Sequence, residues 1–402
     1  MNFLLINAVC GRGSTGRICA DLHDMLVAKG HRAVIAYAHG KATRVPLEDT
    51  YRINGQRGYY IHNAISRFTD RAGFYSTNVT YKFIKFIEAY KPDLIHLHNL
   101  HGYYINVKVL FNYLSKKKIP VVWTLHDCWA FTGHCSHYSY SGCDKWLSEC
   151  HDCQLIKDYP QSILLDRSRK NFIEKRSLFT SLQNMHITTP SNWLSSQVEK
   201  SFLKKYPVTA IYNGIDLSTF KPVKSNVREK YGIARDKYML LAVANEWGPR
   251  KGFSDLLNLS SKLDHSKYQI VMVGLSKKNI ALLPQSVIGI ERTESLDELV
   301  RLYSSADIFL NPSYEETMGM VTAEALACGT PVITYNKTAV PEVADVNSGI
   351  VVSAGDVDAM LASIPVAMKL SGEACRNRAM EFELDQQYKK YYQLYLSCLI
   401  QH

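Results

Sequence analysis

Short apolar runs alternate with longer stretches of helix-like apolar and polar spacing along the whole chain. The first series of candidate strands is Phe3–Ala8, Ala33–Tyr37, Leu94–His98, Val121–Leu125, Ile187–Pro190 and Thr209–Asn213. The second is Met239–Ala244, Gln269–Gly274, Val287–Ile290, Ile308–Pro312, Val332–Tyr335 and Gly349–Val352. Most runs are continuously apolar, so both faces of each strand must be covered, as in a parallel sheet flanked by helices. Two such series predict two doubly wound α/β domains. The turn and breaker signals Asn213-Gly214 and Lys221-Pro222 put the boundary near Asp216, giving domains 1–216 and 217–385. A helical segment rich in tyrosine (Tyr388, Tyr391, Tyr392, Tyr395) follows, and 386–402 is expected to pack back on the first domain.

Composition agrees with two domains. A chain of 402 residues exceeds what one core supports, and 46% hydrophobic with 21% charged residues is ordinary for a soluble protein. No apolar run is long enough to span a bilayer, and Met1–Cys10 reads as a buried first strand, not a signal peptide. A cytoplasmic location is the expectation. The net charge of +10 is uneven: residues 1–216 hold 27 Lys+Arg against 16 Asp+Glu, the remainder 20 against 21. A basic first half favours phosphate, nucleic acid or anionic lipid, unless it is simply a solvated surface.

Several loops carry candidate chemistry. After Ile308–Pro312 the chain runs through Glu316 and Gly319 and enters a helix near Val321, with Glu324 on its first turns. A helix start at the carboxyl end of a strand offers N–H groups to a phosphate, and Glu324 lies where it can reach a ribose diol. After Met239–Ala244, the loop holding Arg250, Lys251 and Gly252 suits a diphosphate and the charge of a departing nucleotide. The loop Gly11–Arg17, with Gly13, Ser14, Thr15, Gly16 and Arg17, precedes a helix expected over Ile18–Lys29 and lacks the Walker ending. The second strand ends in Ala36-Tyr37-Ala38-His39 with no acid, which counts against a nicotinamide enzyme.

Histidines close two strands: His96 and His98 on one, His126 on the next. Zinc hydrolysis by these three is conceivable, but no carboxylate motif accompanies them. Five of the ten cysteines (Cys128, Cys135, Cys143, Cys150, Cys153) fall in the insertion 127–160. Cys150-x2-Cys153 has knuckle spacing, and Cys135 with Cys143 would complete a structural zinc site; reduced packing cysteines are the alternative.

Glu316 and Glu324, with seven residues between them, resemble the donor signature of the family 4 retaining glycosyltransferases, as do Gly319, Ala327–Val332 and Pro341-Glu342-Val343. The resemblance implies the GT-B fold, two Rossmann-like domains facing across a cleft. It places Glu324 on the nucleotide ribose, Glu316 at the donor sugar, and the backbone of Met318, Gly319, Met320 and Val321 on the diphosphate or sugar. Lys251-Gly252 matches; the family's Gly-Arg pair is replaced by Asn245-Glu246, with Arg250 the nearest substitute. The Gly13–Arg17 loop would meet phosphate or acceptor. His126 follows a strand of the right type for the family's cleft histidine, so His126, Glu316 and Lys251 are the catalytic expectation.

The family needs no catalytic cofactor: the departing phosphate oxygen takes the acceptor proton. The Cys-rich insertion is similar to one in enzymes of bacterial polysaccharide assembly, of O-antigen and colanic-acid type, where it would shape the acceptor site. The implied partners are a UDP- or GDP-sugar and a lipid-diphosphate-linked saccharide, with peripheral attachment to the anionic inner face of the cell membrane and no nucleic acid. Basic segments at Phe83–Lys91, Lys116–Lys118, Arg167–Arg176 and Lys200–Lys205 are the candidates for that attachment. A sugar-nucleotide epimerase or phosphorylase, a non-catalytic nucleotide- or nucleic-acid-binding protein and a dehydrogenase are the rivals.

Overall fold

Thirteen strands form two all-parallel sheets in the computed structural model, which describes residues 1–400. The strands are β1 (Asn2–Ile6), β2 (Arg32–Tyr37), β3 (Thr50–Arg52), β4 (Leu94–Leu97), β5 (Val121–Thr124), β6 (Met185–Thr189) and β7 (Val208–Ala210). They continue with β8 (Tyr238–Val243), β9 (Tyr268–Val273), β10 (Val287–Ile290), β11 (Ile308–Asn311), β12 (Val332–Tyr335) and β13 (Gly349–Val352). The sheet orders are β3-β2-β1-β4-β5-β6-β7 and β10-β9-β8-β11-β12-β13. Each sheet winds outward in two directions from its first strand, so β1/β4 and β8/β11 are the switch points where such sheets bind ligands. The fold is α/β, with two Rossmann-like units. One unit comprises Met1–Ile211 and the chain from Tyr388 onward; the other is Tyr212–Gln387.

The strands form because their central residues are mostly apolar and buried, as with Leu4, Leu5 and Ile6 of β1 or Leu240, Leu241 and Ala242 of β8. In the first unit Phe111, Trp123 and Phe179 interlock, with Phe179 4.6 Å and 5.0 Å from the other two rings. One face of this sheet is partly polar and is closed by the helix Leu384–Ile400. Tyr395 meets Nδ1 of His96 at 2.7 Å, Tyr391 meets Thr124 at 3.2 Å, and Tyr388 donates to Asp21 at 2.9 Å. Aromatic rings supply the buried area while their hydroxyls satisfy the sheet's buried polar groups. Residues 401 and 402, the end of the span expected to pack back, lie outside the described residues.

Two local expectations differ from what is observed. β3 has no apolar run to announce it; Thr50-Tyr51-Arg52 is a short edge strand with partly exposed side chains. The first helix spans Gly13–Ala28, so Gly13, Ser14, Thr15, Gly16 and Arg17 form its opening turns and not a free loop. Glycine's poor helix propensity hid that start.

Candidate active site

In the second unit, the carboxyl ends of β8 and β11 bring together residues far apart in sequence. Beyond β8 the chain makes a single 3-10 turn, Pro249–Lys251, and Gly252 then opens the helix Phe253–Lys262. Gly252 has φ +70°, and a Cβ there would lie 2.3 Å from the carbonyl oxygen of Pro312. Only glycine lets this turn settle onto the end of β11. Tyr314 N–H donates to Arg250 O at 3.0 Å, and the Arg250 guanidinium donates back to Glu315 O at 3.2 Å. The two loops are thereby locked together, with Lys251 in an ion pair with Glu316.

Glu316 is held from three sides. Lys251 reaches Oε1, the Ser313 hydroxyl donates to the same oxygen at 3.2 Å, and the Glu316 backbone N–H donates to Thr338 Oγ1 at 2.9 Å. Burial alone would raise its pKa, but Lys251 first, then Arg250 and Ser313, bring it below the ordinary carboxylate value. Glu316 is therefore an ionised acceptor beside two cations.

The helix Met320–Ala327 begins at Gly319, whose φ of +89° turns the chain sharply off the loop. The earliest N–H groups of a helix have no intrahelical acceptor and carry its positive end. Met318 is buried, with its sulfur 3.1 Å from Asn213 N, whereas Met320 and Val321 are partly exposed at the helix start. Thr322 is fixed by Asn311 at 2.8 Å. Glu324 receives a hydrogen bond from the Tyr303 hydroxyl at 2.9 Å. Asn245 and Glu246, at the family's Gly-Arg position, are exposed, while Arg250 lies close enough to Glu316 to depress its pKa.

In the first unit, His98, His101, His126 and Asp127 line a small polar hollow beyond β4 and β5. His126 Nε2 lies 3.0 Å from His98 Nδ1, and His101 Nε2 lies 3.2 Å from Asp127 Oδ2. Burial lowers the His126 pKa to about 4, so the ring is neutral near pH 7. His96 is spent on structure: Tyr395 and Thr124 each lie 2.7 Å from one of its ring nitrogens. A zinc centre on His96, His98 and His126 is incompatible with that arrangement.

The insertion packs as loops around Trp146, Phe131 and Tyr138. Cys150 Sγ accepts the Gly133 N–H at 3.2 Å, and the free thiols of Cys135 and Cys153 are hydrogen-bonded to each other. Among the described residues no group of three or more His, Cys, Asp or Glu is disposed to hold a metal ion. Cys135, Cys143, Cys150 and Cys153 all carry free thiols. Sequence reasoning had no role for Tyr303, Thr338, Asn311 or His101. Nothing local marks the first three; His101 stands just past a strand end, a position that already carried weight for His126.

A cationic turn and a helix start sharing the switch point of an open sheet, in a chain of two such sheets, is the construction of the GT-B glycosyltransferases. The chain belongs to glycosyltransferase family 4, whose sequence model matches residues 15–219, half of the chain; that of glycosyl transferases group 1 matches residues 223–382. It is 24% identical over 382 residues to WcaC of Escherichia coli (strain K12), assigned as a colanic acid biosynthesis glycosyl transferase, covering 89% of this chain and 88% of WcaC. Its fold is similar to sucrose-phosphate synthase of Thermosynechococcus elongatus, with TM-score 0.73, 18% identity and all of both chains covered. It is also similar to Anabaena HepE in complex with UDP-glucose, with TM-score 0.67, 15% identity, 99% of this chain and 100% of HepE covered.

Proposed function

We propose that this glycosyltransferase moves a hexose from a UDP- or GDP-sugar to a lipid-linked saccharide acceptor in surface polysaccharide assembly, with retention of anomeric configuration. The observation that carries the reading is the pairing of Lys251 with Glu316 at the ends of β8 and β11, beside the helix start at Gly319. A diphosphate arriving there competes with Glu316 for the Lys251 ammonium, and Glu316 turns to accept hydrogen bonds from the sugar hydroxyls. Lys251, Arg250 and the N–H groups of Met320 and Val321 then face the phosphate oxygen on which charge grows as the anomeric C–O bond breaks. The acceptor hydroxyl forms the new bond to the anomeric carbon and passes its proton to that departing oxygen, so no protein base is needed. Glu324 is assigned to the ribose, His126 to the donor sugar, and Gly13–Arg17 to phosphate or acceptor. The nucleotide sugar bound by HepE and the assignment of WcaC support the donor class and the pathway type.

Calorimetric titration with a panel of UDP- and GDP-sugars tests the reading. Saturable binding, weakened at least about tenfold in Lys251→Ala, is expected. Mass spectrometry and NMR of the transfer product then give the sugar and its anomeric form. An inverted product ends the retention claim, and RNA binding without any nucleotide-sugar binding ends the enzyme reading.

A further inference from the structure

Among the described residues, Thr338 is the only β-branched one with a left-handed backbone, at φ +51°. That conformation crowds a branched Cβ against its own backbone, and such residues adopt it where the surroundings force them to. Glycine would take the same backbone without strain. What glycine lacks is the hydroxyl, and this hydroxyl has a partner: Oγ1 accepts the Glu316 N–H at 2.9 Å. The next residue completes the hold, since Ala339 N–H donates to the Glu316 carbonyl oxygen at 3.4 Å. Both backbone polar groups of Glu316 are thus held by two consecutive residues of another loop.

The chain on either side of Thr338 accounts for the strain. Before it, Asn336 N–H donates to Val352 O at 2.9 Å, and the Asn336 side chain accepts the Ala354 N–H at 3.0 Å. The exit of β12 is thereby pinned to the exit of β13. After it, Ala339, Val340 and Val343 have no solvent exposure, and Arg378 donates to Val343 O at 3.0 Å and Glu342 O at 2.6 Å. Lys337 and Thr338 alone lie between these anchors, so the change of direction from strand to the 3-10 turn Val340–Glu342 falls on them. Val340 N–H closes that bend on Lys337 O at 3.2 Å. A conformation fixed from both sides persists in spite of its strain.

The Glu316 side chain needs a still backbone beneath it. Its carboxylate pairs with Lys251, and a diphosphate that draws Lys251 away leaves the Ser313 hydroxyl, at 3.2 Å on the same oxygen. A carboxylate that changes partner stays in place only if the chain carrying it does not drift.

We propose that Thr338 is a positioning residue for Glu316, its strained backbone aiming a hydroxyl that fixes this carboxylate for the donor sugar. The consequence for donor binding rests on the role given to Glu316 above, whereas the hold itself is measured with no ligand present. In the ligand-free full chain, hydrogen exchange at the Glu316 amide is expected to quicken about threefold to tenfold in Thr338→Val and Thr338→Gly, the worth of one hydrogen bond, and not in Thr338→Ser. Calorimetry then compares UDP-glucose with UDP, and GDP-mannose with GDP. Nucleotide-sugar affinity should fall about threefold to tenfold in the Val and Gly variants while nucleoside-diphosphate affinity holds, and Thr338→Ser should restore the wild-type value. Because Thr338→Gly relieves strain as it loses the hydrogen bond, its melting temperature should stay within about 2 °C of wild type.

Unchanged exchange at Glu316 in Thr338→Val overturns the proposal, and so does a Thr338→Ser variant that behaves like Thr338→Val. Faster exchange with unaltered nucleotide-sugar affinity overturns it as well. Equal losses of nucleotide sugar and nucleoside diphosphate, with a markedly lower melting temperature in Thr338→Gly, would make Thr338 a purely structural residue and end the proposal. A wild type that binds neither donor, with exchange altered as expected, supports the hold and counts against the function reading alone.

Discussion

The hydroxyl of Tyr303, a residue with no solvent exposure, donates a 2.9 Å hydrogen bond to Oε2 of Glu324. The backbone oxygen of Tyr303 is itself held by Thr330 Oγ1 at 2.6 Å. A carboxylate in the helix Met320–Ala327 is therefore held from inside the core, by a fully buried side chain.

Glu324→Ala is expected to raise the nucleotide-sugar dissociation constant at least about tenfold, and Tyr303→Phe about threefold to tenfold, the worth of one hydrogen bond to a charged group. A 2′-deoxy donor should bind the wild type more weakly but lose nothing further in Glu324→Ala. Calorimetry with both donors checks this; equal losses in the two proteins would remove the ribose from Glu324.

Glu316 has a folded pKa below its unfolded value, so its contribution to stability is present above the unfolded carboxylate range, about 4.3, and is lost as pH falls through the folded value. In Lys251→Met the burial that raises this pKa loses its main opponent. The acid unfolding midpoint should move up by about one pH unit and kcat/KM fall by roughly 10²–10³. Adding Glu316→Gln should recover the melting temperature without the activity.

Burial lowers the pKa of His62 to about 3 and of His126 to about 4, and of His96 and His98 well below the usual value. These rings stay neutral in the folded chain, while unfolded histidine protonates below about pH 6.5. Stability should be constant above that pH and decline from about 6.5 toward 4, by up to about 1.4 kcal/mol per pH unit for each ring. Thermal unfolding between pH 7.5 and about 4.5 measures the slope, which His62→Asn should reduce. The transfer rate itself should show no titration near pH 6.5 from His126.

Tyr395→Phe leaves Nδ1 of fully buried His96 without its 2.7 Å partner, at a cost of about 1–3 kcal/mol in urea unfolding. Tyr391→Phe should cost less, because Thr124 keeps Thr188 at 2.5 Å and His96 at 2.7 Å.

Both sheets were legible in the chain because doubly covered parallel strands need largely apolar runs, and twelve of the thirteen strands overlap a candidate strand. β3 escaped because an edge strand of Thr-Tyr-Arg buries little and so leaves no apolar signature. In the second unit, the residues now at the switch point were legible because Arg250-Lys251-Gly252 and Glu316 to Glu324 are short contiguous stretches whose spacing survives without a structure. The groups that hold them were not: Thr338 is 22 residues from Glu316, and Tyr303 is 21 from Glu324. Both are common residue types in unremarkable surroundings. The basic segments were legible as charge alone, and charge does not say which side of a helix faces water.

By itself the sequence determined the alternation of strands and helices, the two-sheet architecture, the candidate donor loops and the family. All of these follow from periodicity and spacing among neighbours in the chain. Only the tertiary structure decided that Lys251 pairs with Glu316 across 65 residues, that His98 abuts His126, and that Gln56–Thr69 turns its apolar stripe outward. Those facts depend on which surfaces the remaining core leaves uncovered, and packing over long separations has no local signature to read.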